Sequence, residues 1–376
     1  MIYLDNAATT APDAAAVSAA LAFYGQKFHN PSSLYGAGFE AHRAVQDARR
    51  SLLAHIAPAG GFELVFTASG SEADNQAIFS SVRRGNFVTT AGEHAAVYQS
   101  AKELERRGIE VRYARLHADG SVDGEDLLRL VDEHTSLVSV IHVNNETGAV
   151  NDIAALSAAV KKKNAKALFH SDGVQAFGKI PFSLPQSVDL YTVSAHKIGG
   201  VRGAAALIRK KGVPLHPLIF GGGQENGLRS GTENTFAIVQ FAAAAEKKFS
   251  SLGRDLEHVR ALNSAVRAGL DAGIFTVLSA EDASPYIVSV AAKGLRGEVL
   301  LHMLDDAGVQ VGTGSACSSN AKKRYSRVIL ACGRSETEAD GVLRLSFSPE
   351  TTQEEITAAT DILNGCAAEL KKRMNI

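Results

Sequence analysis

SLVSVIHVNNETGAVNDIAALSAAVKKKNAKALFHSD, residues 136–172, reads as strand, helix and strand in succession. SLVSVIHV (136–143) is a run of apolar and β-branched residues. DIAALSAAVKKK (152–163) is helical, and its three closing lysines suit the negative end of a helix dipole. AKALFH (165–170) is strand-like again. The alternation continues outward from about residue 39 to 249. ELVFT (63–67), NFVTT (86–90), IEVRYA (109–114), DLYTVS (189–194) and AAALIR (204–209) read as further strands. Helices are expected over 45–56, where Val45, Ala48, Leu52, Leu53 and Ile56 lie three and four apart, and from Ser71 to Arg84, with Gly85 as the stop. Most strands are followed by a helical stretch. Such a chain builds a mostly parallel sheet covered on both faces, an α/β fold.

The last third changes character. A long helix is expected over about 235–271, strands at YIVSVAA (286–292) and VLRLSF (342–347), and helices near 297–307 and 353–372. This is an α+β layout and suggests a smaller second domain. LDNAATT, near the N-terminus, has no assignable pattern. The expected division is a large domain over 15–250 and a small one from 1–14 and 251–376.

Composition narrows the function classes. The chain has 376 residues, 39 Lys plus Arg against 40 Asp plus Glu, and a formal charge of −1. So balanced a chain has no bulk attraction to nucleic acid or anionic lipid, so neither is an expected partner. An apolar fraction of 45% is ordinary for a folded chain. The three cysteines, Cys317, Cys332 and Cys366, form no C-x-x-C, and no metal site is expected. MIYLDNAATT lacks the basic and apolar regions of a signal peptide, and no apolar run reaches membrane-spanning length. A cytoplasmic location is expected.

In open α/β sheets ligands bind beyond the carboxyl ends of the strands. After ELVFT come Ser69, Gly70, Ser71 and Glu72, opening a helix. Small residues and free amides there make a phosphate cradle; an ordinary N-cap by Ser71 explains the same residues. The next strand ends deliver His94, then Asn144-Asn145-Glu146, then Asp172 followed by Gln175, then His196-Lys197. Each alone is explained as a residue capping a turn. Together, a lysine beside a carboxylate and a phosphate cradle suit pyridoxal phosphate. Cys317 lies among small residues in GTGSACSS (312–319), unlike Cys332 in the apolar VILACG; a buried packing thiol is the alternative. Cys366, on the terminal helix, reads as structural. Arg344, within an apolar strand, needs an anionic partner, either a substrate carboxylate or an internal one.

These segments resemble the cysteine desulfurases of the NifS/IscS type, within the class V aminotransferase family of fold-type I pyridoxal phosphate enzymes. The similarity runs nearly end to end through YLDNAATT (3–10), FHNPSSLYGAG (28–38), FTASGSEADN (66–75), HVNNETG (142–148), HSDGVQAFGK (170–179), SAHKIGG (194–200), GGGQENGLRSGTEN (221–234) and GTGSACSS. The resemblance implies a large domain built on a mostly parallel seven-stranded sheet and a small α+β domain carrying the cysteine loop. It implies that Lys197 is the Schiff-base lysine and moves the Cα proton, that His94 stacks on the cofactor ring, that Asp172 meets the ring nitrogen, and that Gln175 meets the ring hydroxyl oxygen. Gly70, Ser71, Ser194 and His196 resemble phosphate contacts. Thr232 resembles one reaching in from the partner subunit of a homodimer. Asn145 and Arg344 resemble the pair that holds the carboxylate of L-cysteine. Cys317 resembles the nucleophile that takes the sulfur as a persulfide and hands it to an acceptor protein, such as an iron–sulfur scaffold. Gly199 and Val201 depart from the family pattern after the lysine. A selenocysteine lyase, a class V transaminase and a non-catalytic sulfur-relay scaffold are the competing readings.

Overall fold

The computed structural model describes residues 1–313 and 325–375. The chain runs β1 (Ile2–Leu4), α1 (Ala14–Gln26), α2 (Gly36–Ile56), β2 (Phe62–Thr67), α3 (Gly70–Ser81), β3 (Asn86–Thr90), α4 (Ala95–Arg106), β4 (Glu110–Ala114) and α5 (Gly124–Leu130). It continues through β5 (Thr135–Ser139), α6 (Ile153–Lys163), β6 (Leu168–Asp172), β7 (Leu190–Ser194), β8 (Ala205–Lys210) and α7 (Thr235–Gly269). The last third adds β9 (Phe275–Val277), β10 (Ile287–Ala292), α8 (Gly297–Asp306), β11 (Val309–Val311), α9 (Arg327–Ala331), α10 (Glu336–Asp340), β12 (Val342–Ser346) and α11 (Gln353–Met374).

Seven strands form the central sheet in the order β2-β8-β7-β6-β5-β3-β4. The five from β7 to β4 are parallel, and β8 runs antiparallel to both β2 and β7. Strands β3 and β7 are buried along their whole length, as expected where helices cover both faces. A second sheet, β12-β10-β9, is antiparallel, and β1 pairs in parallel with β11. Residues around Leu4 therefore pack with the C-terminal third: Leu4 and Ala7 share a hydrophobic cluster with Val259, Val290, Leu343 and Leu363. Helix α7 joins the two cores. Its first half gives Ile238 and Phe241 to the core under the large sheet, and its second half gives Val259 and Leu262 to the other.

Several element bounds differ from the sequence reading, for local reasons. Helix α3 begins at Gly70 and is capped by Ser69, whose side chain accepts from the Glu72 amide at 3.1 Å; Ser71 is not the cap. The helix stops at Ser81, where Val82 turns to a non-helical conformation, so Gly85 serves the turn into β3. The strand expected over 136–143 ends at Ser139. Beyond it the Val140 and His142 amides still donate to the His170 and Asp172 carbonyls of β6, but the Ile141 amide turns to the Glu93 carboxylate at 2.9 Å. The strand expected from 165 begins at Leu168, because Asn164 folds the chain back through Lys166 and Ala167. Among the described residues, no helix is long and apolar enough to cross a membrane.

Candidate active site

Past the carboxyl ends of β3, β5, β6 and β7 lies a cavity of about 290 Å³. His94, Asn145, Asp172 and Lys197 all line it, each delivered by the segment after, or at the end of, a different strand. The N-terminus of α3 supplies Ser69, Gly70 and Ser71; Ser194 and His196 come from the end of β7, and Gln175 from the turn after β6. Arg344, on β12 of the second sheet, closes the far wall.

The lysine sits in a single 3-10 turn, Ala195–Lys197, directly after β7. Its Nζ donates to the carbonyls of Ala7 and Ala8, both at 2.6 Å. The segment that has no legible pattern in the sequence is thus a strap across the site. The strap continues at Thr9, whose hydroxyl lies 3.2 Å from His196 Nδ1, and Thr10, whose hydroxyl donates to the His196 carbonyl at 3.0 Å. Burial and the neighbouring Lys197 charge lower the His196 pKa to about 4, so its ring is neutral at pH 7.

His94 is the N-cap of α4, with Nδ1 accepting from the Ala96 amide at 3.2 Å. That contact leaves Nδ1 unprotonated and fixes the tautomer of a neutral ring. Burial also lowers the His94 pKa, against the pull of Asp172. Asp172 Oδ1 accepts from the Val174 amide at 2.9 Å. Burial raises the Asp172 pKa, opposed by His94 and Lys197. A cation set against this carboxyl would restore its charge. Asp74 stands beside it: one ligand atom each of Asp74, His94 and Asp172 lie within 4.8 Å of one another. Burial first, and then the neighbouring Asp172, push the Asp74 pKa well up.

Arg344 is 2% exposed and makes two contacts across the site. Nη2 pairs with Asp5 Oδ1 at 2.6 Å, and Nη1 donates to the Asn145 carbonyl at 2.9 Å. The internal carboxylate that the sequence leaves open as a partner is therefore present. Arg344 Nε and Asn145 Oδ1 are buried with no hydrogen-bond partner among the described residues, and both residues line the cavity. Gly312 is needed for space. A Cβ there would lie 2.6 Å from Asp5 Oδ1 and 2.8 Å from Arg344 Nη2, breaking into the ion pair. Its φ is outside the left-handed region, so the requirement at this position is space.

Thr232 is exposed and does not line this cavity. Cys317 lies outside the described residues. Cys332 is buried, with its thiol pKa pushed up to about 12 by burial, and Cys366 packs beside the Met303 carbonyl; both fit structural roles. Two residues of the site escape the sequence reading. Asp74 lies four residues after Gly70 on α3, hence on the same face, a spacing that reveals it once the helix start is known. Glu93, next to His94, is fully buried and ties the β3 and β5 ends together by accepting from Thr90 Oγ1 and the Ile141 amide. Nothing in the local pattern marks it, because its partners are 48 residues away for Ile141.

Comparisons with known proteins bear on the family and the fold. The family model for aminotransferase class-V matches residues 2–358. A cysteine desulfurase of Gluconacetobacter diazotrophicus is 38% identical over 380 aligned positions, covering 99% of this chain and 94% of the relative. Cysteine desulfurase IscS 1 of Archaeoglobus fulgidus is 34% identical over 386 aligned positions, covering 99% of this chain and 98% of the relative. A solved NifS-like protein superposes with a TM-score of 0.90 at 34% identity, covering 98% of this chain and 99% of its own.

Proposed function

We infer that this chain, which belongs to the aminotransferase class-V family, is a pyridoxal 5′-phosphate-dependent cysteine desulfurase acting on L-cysteine. The cavity fits the cofactor by its own chemistry. The first-turn amides of α3 point the positive end of a helix dipole at it. They do so beside Gly70, where a Cβ would press on Val174 Cγ2 at 3.1 Å. Across from this cradle stand one buried carboxyl, Asp172, and one amine, Lys197. The convergence of Lys197, Asp172, His94 and Asn145 from four strand ends onto one cavity carries the reading.

In this proposal Gly70, Ser71, Ser194 and His196 hold the cofactor's phosphate, Asp172 its ring nitrogen, Gln175 its ring hydroxyl oxygen and His94 its ring face. Bound there, the cofactor supplies the carbonyl that Lys197 captures and an electron sink for the substrate Cα. The chain's residues do the rest. Arg344 holds the substrate carboxylate with the Nε left unpaired in the buried wall, and Asn145 donates to it from its carboxamide nitrogen. Lys197 Nζ takes the Cα proton. Neutral His94 stands by to relay protons. Cys317, as thiolate, attacks the substrate Sγ; the Cβ–S bond breaks, the carbon side gains protons, and alanine leaves with a persulfide on Cys317.

Three further points belong to the proposal. The enzyme works as a homodimer in which Thr232 completes the partner's phosphate site. In support, Thr232 is exposed, and Leu218, Ile219 and Phe220 earlier in the same loop are exposed too. The persulfide passes to an acceptor protein of the iron–sulfur scaffold kind. The location is the cytoplasm.

Replacing Lys197 with Ala tests the assignment of the lysine. The variant should fold, lose the visible cofactor band after dialysis, and release neither sulfide nor alanine from L-cysteine. A variant that keeps turnover removes Lys197 from the mechanism.

A further inference from the structure

Lys179 is 5% exposed and lies in the turn after β6, four residues beyond Gln175. Among the described residues its Nζ has no carboxylate partner, and its hydrogen bond goes to Gln175 Oε1 at 2.7 Å. The nearby charges are like charges, Lys197, Lys248 and Arg344, and the Tyr286 ring centroid lies 5.8 Å away. A lysine buried without a counterion destabilises the fold relative to a leucine or methionine of similar volume. Its place calls for a reason.

The reason lies in the Gln175 carboxamide. Gln175 Nε2 donates to the Ala7 carbonyl at 2.8 Å. A carbonyl only accepts, so that side of the amide must be the NH2 group. The other side, Oε1, is occupied by Lys179. Burial and the surrounding cations hold the Lys179 pKa well below its usual value, and in either protonation state its N–H groups donate to Oε1. The amide is thus held between an acceptor and a donor, and a flip would set Oε1 against the Ala7 carbonyl, an acceptor facing an acceptor. Gln175 lines the cavity, whereas Lys179 stands behind it, beside a smaller void shared with Tyr286 and Phe347.

We propose that Lys179 is a positioning residue for the cofactor: it locks the Gln175 carboxamide so that an N–H donor, rather than a carbonyl, is offered to the cofactor's ring hydroxyl oxygen. The proposal rests on the reading that Gln175 meets that oxygen. A donor there favours the ionised oxygen, and the visible band of the bound cofactor follows that ionisation. Substrate and sulfur chemistry are not involved, so the readout needs no turnover.

The test is a double-mutant cycle read by cofactor binding. Apoprotein is titrated with pyridoxal phosphate, and the dissociation constant and absorbance maximum are recorded for wild type, Lys179→Met, Gln175→Leu and the double variant. Each single variant should weaken binding about tenfold, the worth of one well-placed hydrogen bond, and shift the band. The double variant should be no worse than Gln175→Leu alone. A lysine that merely supports packing gives effects that add, and that outcome overturns the proposal, as does a Lys179→Met protein with wild-type band and affinity. If Gln175→Leu itself changes nothing, the assignment of Gln175 fails and takes the proposal with it. If Lys179→Met does not fold, Lys179→Gln replaces it in the cycle. That variant keeps a donor at shorter reach, and it should lose about two- to threefold in the wild-type background and nothing beside Gln175→Leu.

Discussion

Glu93 is a fully buried carboxyl whose Oε2 has no hydrogen-bond partner among the described residues. Burial raises its pKa from the ordinary 4.5 to about 8, with Asp172 adding to the rise. Its Oε1 still accepts from Thr90 and Ile141, which explains why the position carries a polar side chain at all. The linkage has a definite sign. Between pH 4.5 and about 8 the folded chain keeps a proton that the unfolded chain has released. Stability therefore falls as pH rises through that window and levels off above it. Glu93→Gln keeps the acceptor and removes the titration. Its stability relative to wild type should climb steadily from pH 5 to pH 8.5, by an amount on the order of a few kcal/mol, in denaturant melts at each pH. A difference that stays flat across the window contradicts a protonated Glu93. At this scale Lys197, Asp172, His94, Asn145 and Arg344 were legible in the sequence, because each follows or sits in a recognisable strand. Glu93 and Lys179 were not, since their meaning comes from partners that only the folded chain brings near.

At the scale of elements, the short helix α9 ties the second sheet's side of the molecule to the loops after β3 and β5. Ser326 caps it, accepting from the Ile329 amide at 3.2 Å, and its hydroxyl donates to buried Glu146 Oε2 at 2.5 Å. Arg327 adds a donation to the Glu93 carbonyl at 2.6 Å and lies 3.9 Å over the Tyr98 ring. Ser326→Ala removes a cap and leaves Glu146 short of a donor. The expected loss is about 1–3 kcal/mol of stability, measured from the urea midpoint at unchanged slope. An unshifted midpoint would mean that α9 is not held by this residue. The long elements were readable because they repeat a period: β3 has the bounds read from the sequence, and α7 starts where its pattern starts. Strands β1, β9 and β11 have three residues each, too few to show alternation, and their pairing is fixed by contacts far along the chain. The same holds for β8. Its sequence reads as one more strand, but its antiparallel place between β2 and β7 is a tertiary choice.

For the whole molecule, the proposed dimer makes a prediction that a single chain cannot satisfy. Thr232→Asp puts a negative charge where the partner's cofactor phosphate is proposed to sit, and Lys197→Ala removes the lysine; each homodimer should hold little cofactor. Refolded together, the two chains form mixed dimers. In these, one site has an intact Lys197 facing an intact Thr232 of the other chain. Cofactor binding and sulfide release should return in the mixture to about a quarter of the wild-type sites, the statistical share for random pairing. No recovery on mixing places Thr232 in its own chain's site or in none. The central claim is that the sulfur of L-cysteine leaves through Cys317. The direct measurement is sulfide and alanine released together from L-cysteine and a thiol reductant by the purified, cofactor-loaded protein, beside Cys317→Ser. The account predicts equal amounts of the two products, both lost in the Cys317→Ser protein although its cofactor band persists. Alanine and sulfide formed undiminished by Cys317→Ser would contradict it.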